Sequence, residues 1–157
     1  MRPWIAGTIA GAGATIPMTA VMFAWRRILP AHEQYSLPPR QITAELAERS
    51  GAAEAIDHDE EVIDIATTVN HFGYGAAMGL GYGLLAASAV PPRVLTGIAF
   101  GSGVWAVSYL GWLPLMNMRA AATKEPAGRN AMMIAAHLVW GAALGGLTAR
   151  LLSDARR

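Results

Sequence analysis

Two stretches of this chain set an imidazole among small residues at the same spacing. They are Asn70-His71-Phe72-Gly73-Tyr74-Gly75-Ala76-Ala77-Met78-Gly79 and Ala136-His137-Leu138-Val139-Trp140-Gly141-Ala142-Ala143-Leu144-Gly145, each reading His-x-x-aromatic-Gly-Ala-Ala-x-Gly. On a helix, positions i, i+4 and i+8 lie close to one face, so each histidine should stand in line with a groove of glycines. Both stretches fall in apolar runs of membrane-crossing length, where a titratable ring is costly unless it has a partner. Two imidazoles facing a common axis can relay a proton near neutral pH, hold a small ligand, or ligate a haem b iron. They make a thin zinc site, because structural zinc takes four protein ligands and catalytic zinc three. Asn70 and Tyr74 flank His71 and complete the candidate ligand or proton site. The plain alternative is that each ring donates to a neighbouring helix carbonyl or to Asn70, Tyr74 or Asn130.

Arg40 and Arg129 each follow a proline, as Pro39-Arg40 and Pro126-Ala127-Gly128-Arg129, at the histidine end of the adjoining apolar runs. A guanidinium fork suits phosphate and carboxylate, so the pair is a candidate entrance that contacts an anion or lipid headgroup. Ordinary flanking charge that anchors helices is the alternative. The acidic run Asp57-His58-Asp59-Glu60-Glu61 reads as a solvated helix start. No phosphate loop, Ser-His-Asp order or HExxH pair is present, which argues against an enzyme with familiar equipment.

The elements that must position these groups are membrane helices. Hydrophobic residues make up 54% of the 157 residues and charged residues 15%, against roughly 25% charged in soluble domains. No charged residue occurs from 3 to 25, from 65 to 92, from 94 to 118 or from 130 to 149. Four gaps predict an all-α, polytopic four-helix bundle forming one membrane domain over 1–157. Its spans are expected near 4–25, 65–90, 94–116 and 131–152, with an extramembrane amphipathic and acidic segment over 26–64. The first span exceeds a signal-peptide apolar core and ends in Arg26-Arg27, so it is expected to be retained. Pro17 should bend it. Leu37-Pro38-Pro39-Arg40 is expected to be extended, followed by a short amphipathic helix over 41–49 with Ile42 and Leu46 on one face. Asp57 with Glu60 should cap the helix that continues into the second span.

Each span carries a small-x-x-x-small pair, the feature that lets helix backbones approach in lipid. Such faces could also dock a second copy or another membrane protein. Gly7, Gly11 and Gly13 align with Gly97, Gly101 and Gly103, and the two histidine stretches align at a shorter offset, which predicts a tandem two-helix repeat. In that alignment His71 and His137 enter from one side at equal depth, roughly 8 to 9 Å inside the boundary at 1.5 Å per residue. Basic residues show a small excess at the histidine end, which points that end toward the cytoplasm. A net charge of +1 without a concentrated basic face excludes nucleic acid as a partner, and the lack of cysteine removes disulfides and thiolate chemistry.

Leu37-Pro38-Pro39-Arg40, the His71 span and His137-Leu138-Val139-Trp140 resemble the YagU-like family of small bacterial inner-membrane proteins. The resemblance implies a multi-pass protein of the bacterial inner membrane. It carries no catalytic residues over. Three functions follow from the residues: a membrane protein handling a small ligand, ion or proton between spans two and four; a structural or assembly protein; and a bis-histidine haem electron carrier.

Overall fold

The structure is a computed structural model that describes residues 1–54, 59–88 and 91–155. The described residues are all-α. α1 (Pro3–Arg26), α2 (Pro38–Ser50), α3 (Glu60–Ser88), α4 (Val94–Ala106) and α5 (Ala127–Asp154) follow in order, with short 3-10 turns at Ala31–Glu33 and Ala122–Lys124. A π-helical turn (Val107–Trp112) and one α turn (Leu113–Leu115) extend α4. Three helical segments, Pro3–Arg26, Val94–Leu115 and Ala127–Asp154, are long and apolar enough to cross a bilayer. This is a small multi-pass membrane protein. α3 is longer than any of them, yet Thr67, Thr68, Asn70, His71 and its glycines keep its hydropathy below theirs.

Glycine decides which helices touch. α1 packs against α3, α4 against α5, and α1 against α5, whereas the α3 and α4 backbones scarcely approach each other. A Cβ added at Gly7 would stand 2.8 Å from the Gly83 Cα, and one at Gly11 would stand 2.8 Å from the Gly79 Cα. In the other pair, a Cβ at Gly97 would stand 2.8 Å from the Gly145 Cα, and one at Gly101 3.0 Å from the Gly141 Cα. Those faces are therefore filled from within the chain. Without water to expel, such backbone approach is a main source of helix association. α3 and α4, though close in sequence, meet instead through side chains: the Tyr82 and Phe100 rings lie 5.3 Å apart at a tilt of 56°, and the Tyr82 and Thr96 hydroxyls bond at 2.8 Å.

The glycine crossings define a register between α3 and α5. Gly83 and Gly79 face α1 as Gly145 and Gly141 face α4, so the α3 position matching His137 is Gly75, and the α5 position matching His71 is Met133. By that register the histidines are offset by four residues, about 6 Å along their helices at 1.5 Å per residue. Glycine every fourth residue makes a one-turn slip hard to see in sequence.

Local departures have local causes. Leu37-Pro38-Pro39-Arg40 is not extended throughout, because Pro38 and Pro39 open α2, where a missing amide costs nothing and φ is already helical. Gly51, at φ 73°, ends α2 in the left-handed conformation. α1 continues through Pro17 as one helix. The π-helical turn precedes Pro114, whose ring would clash with the Leu110 carbonyl in a regular α-helix. The wider turn relieves that clash, and Gly111 takes the non-helical φ of −112° and ψ of −105°. Asp57 lies outside the described residues; at the start of α3 it is the Asp59 carboxylate that accepts the Glu61 amide, at 2.8 Å.

Candidate functional site

Because α3 and α4 stand apart, the histidine end of the bundle encloses a cavity of about 550 Å³, reached by side chains from every long helix and roofed by α2. α2 lies across the bundle end and turns Ile42 and Leu46 into the cavity. His71, His137, Asn70 and Tyr74 all line it. So do Ser108 and Trp112 from the π-helical turn, with Tyr109, Met133 and Trp140. Among the described residues no Asp, Glu, Lys or Arg lines the cavity. An apolar wall with a few convergent polar groups, at this volume, is the usual make-up of a small-molecule site.

The polar groups are largely committed to the fold. The buried His137 donates from Nδ1 to the Met133 carbonyl at 2.8 Å, since a carbonyl can only accept; in the neutral ring this leaves Nε2 as the basic nitrogen. Its ring meets the Tyr109 ring edge to face at 5.7 Å. His71 is held more loosely, with Nδ1 3.5 Å from the Thr19 hydroxyl. Asn70 donates to the Thr43 hydroxyl at 3.2 Å and so ties α3 to the α2 roof. The Tyr74 and Ser108 hydroxyls bond at 3.0 Å across the α3–α4 gap, and the Trp112 indole also donates to Ser108, at 3.3 Å. Trp140 donates from its indole to the Gly11 carbonyl at 3.1 Å. Among the described residues no three His, Cys, Asp or Glu side chains gather to hold a metal.

Neither arginine lies on the cavity wall. Arg40 clamps α2 to α3 through Glu60 at 2.5 Å and Asp64 at 2.8 Å. The hydrogen bond with Glu60 raises the guanidinium pKa further. Arg129, only 1% exposed, donates to the carbonyls of Glu33 and Tyr35 from one terminal nitrogen and to that of Ser36 from the other, at 2.9 to 3.1 Å. Its guanidinium stacks 3.6 Å over the Tyr35 ring. Glu125 joins this group to Arg119: it pairs with Arg119 at 3.1 Å, accepts the Tyr35 hydroxyl at 3.1 Å and faces Arg129 at 3.8 Å. Burial raises the Tyr35 phenol, which keeps it a donor to Glu125. Arg119 also bonds Gln41, so the same network holds the roof. The segment after α1 is thereby locked onto the start of α5.

Sequence reasoning missed Ser108, Trp112, Arg119 and Glu125. The one signal available was Gly111-x-x-Pro114, which marks an irregular turn and hence re-aimed side chains around it. No curated protein and no solved structure gives a significant match to the chain. A family model, DUF1440, described as a protein of unknown function, matches residues 16–145, a span that holds every cavity residue except Thr15. The chain belongs to the DUF1440 family of proteins of unknown function.

Proposed function

We propose that this is a four-span protein of the bacterial inner membrane whose cavity binds one small, predominantly apolar molecule, with His71 and His137 bonding its polar group and Asn70 and Tyr74 beside them. The observation that carries the reading is the cavity of about 550 Å³ lined by both imidazoles and, among the described residues, by no formally charged side chain. A neutral wall suits an uncharged guest, because a charge taken from water into it would lack compensation. The fourth span is α3: it runs antiparallel along α1 through the glycine contacts and exposes Ile65, Val69, Leu80, Leu84 and Leu85. The recurrence of one crossing geometry in α1/α3 and α4/α5 supports a two-helix repeat, and the YagU-like resemblance supports the inner membrane. A proton relay needs a chain of titratable groups to water, and the described lining supplies two imidazoles and the Tyr74 and Tyr109 phenols without a carboxylate or an ammonium. The assembly reading is left with open glycines such as Gly73, Gly103 and Gly111, since those of the α1/α3 and α4/α5 crossings are covered.

Native mass spectrometry of protein extracted in mild detergent tests this. One bound apolar molecule is expected on the wild type and a loss of at least tenfold in occupancy on His71→Ala, whose ring has little structural role. Bare protein under all lipid and growth conditions would overturn the reading, and a Soret band would replace it with the haem alternative.

A further inference from the structure

Resting on that reading, we infer that the guest is an acyl chain of a membrane phospholipid, which enters sideways from the bilayer through the cleft between α3 and α4, with the Tyr74–Ser108 hydrogen bond as its latch. The mouth of the cavity is marked by lining residues that are also exposed: Val69, Asn70, Gly73, Tyr74 and Ala77 on α3, and Leu46 on α2. The rim is mostly hydrocarbon, its polar groups being the Asn70 amide held on Thr43 and the Tyr74 hydroxyl held on Ser108, and it continues into the exposed Val107 and Leu110 of the π-helical turn. A water-soluble guest would have to cross the α2 roof, which is pinned by Arg40 to Glu60 and Asp64, by Asn70 to Thr43 and by Arg119 to Gln41. Among the described residues no ion pair ties α3 to α4, and the Tyr82–Thr96 bond lies two turns away from the cavity mouth. Across the mouth the polar tie is the bond of 3.0 Å between Tyr74 and Ser108, and a single hydrogen bond between helices in lipid is weak. Ser108 and Trp112 belong to the turn whose helical bonding Pro114 and Gly111 already interrupt, so the α4 side of the cleft can yield without breaking a regular helix. Hydrocarbon on the rim, no charge on the wall and a single weak latch between them fit one aliphatic chain.

The test uses nanodiscs containing phosphatidylethanolamine with a photoreactive diazirine midway along one acyl chain. In wild-type protein, adducts are expected on the buried Met133 and Trp140 as well as on the exposed Ile16 and Leu95. The chain has no cysteine, so Tyr74→Cys with Ser108→Cys can be joined after reconstitution by a short bismaleimide, which closes the cleft on folded protein. Joining is expected to cut interior adducts at least fivefold and leave surface adducts unchanged. Gly73→Trp, at a position where an added Cβ meets nothing within 4 Å, should do the same without a cross-link. Interior adducts that survive both closures would overturn the side entrance. Adducts confined to the surface while a different molecule remains bound in native mass spectrometry would overturn the acyl chain and spare the proposed binding function. Surface adducts alone on bare protein would overturn both.

Discussion

The Trp140 indole N–H donates to the Gly11 carbonyl at 3.1 Å, joining the middle of α5 to α1 directly beneath the cavity. The same carbonyl accepts the Thr15 hydroxyl at 3.0 Å, so it is not left bare when the indole goes. Trp140→Phe, which keeps most of the ring and removes the donor, should cost about 1 kcal/mol. Trp140→Ala also opens a void in a buried position and should cost about 3–5 kcal/mol. Unfolding of the purified protein by graded SDS reads both; equal losses would mean that the bond, not the ring, carries the contact.

Gly79 and Gly73 lie on the same helix and should respond oppositely to alanine. A Cβ at Gly79 would stand 2.7 Å from the Gly11 Cα, and backbone cannot swing aside as a side chain can. Gly79→Ala should therefore cost at least about 2 kcal/mol as α1 and α3 are forced apart. At Gly73 the added methyl meets nothing within 4 Å, and alanine is the better helix former by about 1 kcal/mol. Its stability should stay level or rise. Gly145→Ala, which would press on the Gly97 Cα at 3.1 Å, should match Gly79→Ala in sign and show that both pairs are held alike.

The two histidines differ in how far the fold depends on them. His137 is 5% exposed, bonded to its own helix and packed on Tyr109, so His137→Ala leaves a hole and should cost about 2 kcal/mol. His71 is half-buried with one long contact to Thr19, and His71→Ala should cost under about 1 kcal/mol. Circular dichroism melts in one detergent compare them directly; the reverse order would show that His71 has a structural partner beyond Thr19.

What the sequence disclosed and what it hid divide along physical lines. Charge-free stretches and glycine spacing are properties of single helices, so the all-α class and the apolar membrane helices were legible. Register is a property of pairs. With Gly75, Gly79 and Gly83 on one helix and Gly141 and Gly145 on the other, a slip of four residues still aligns glycine with glycine, and the repeated His-x-x-aromatic pattern favours an alignment one turn from that of the glycine crossings. Arg129 was misread for a related reason: at the edge of an apolar run, an arginine that anchors to headgroups and one that enters a cage of carbonyls look identical until the partner segment, here Glu33 to Ser36, is folded onto it.

That difference makes Arg129 and Arg40 a sharp contrast in mutation. Arg40 is an ion pair at the rim, its side chain 31% exposed and its partners Glu60 and Asp64 mostly in solvent, so Arg40→Ala should cost no more than about 1 kcal/mol and less in high salt. Arg129→Ala strips the donors from three backbone carbonyls and unbalances the Glu125 carboxylate, a loss of about 3 kcal/mol or more. Lysine should not rescue it, because a single ammonium cannot span the carbonyls of Glu33 and Ser36 while stacking on Tyr35. Limited proteolysis between α1 and α2 gives the readout: cleavage near Tyr35 should rise sharply in Arg129→Lys and Arg129→Ala and stay at the wild-type level in Arg40→Ala. If Arg129→Lys were as resistant as wild type, the guanidinium geometry would be incidental and charge alone would hold the segment.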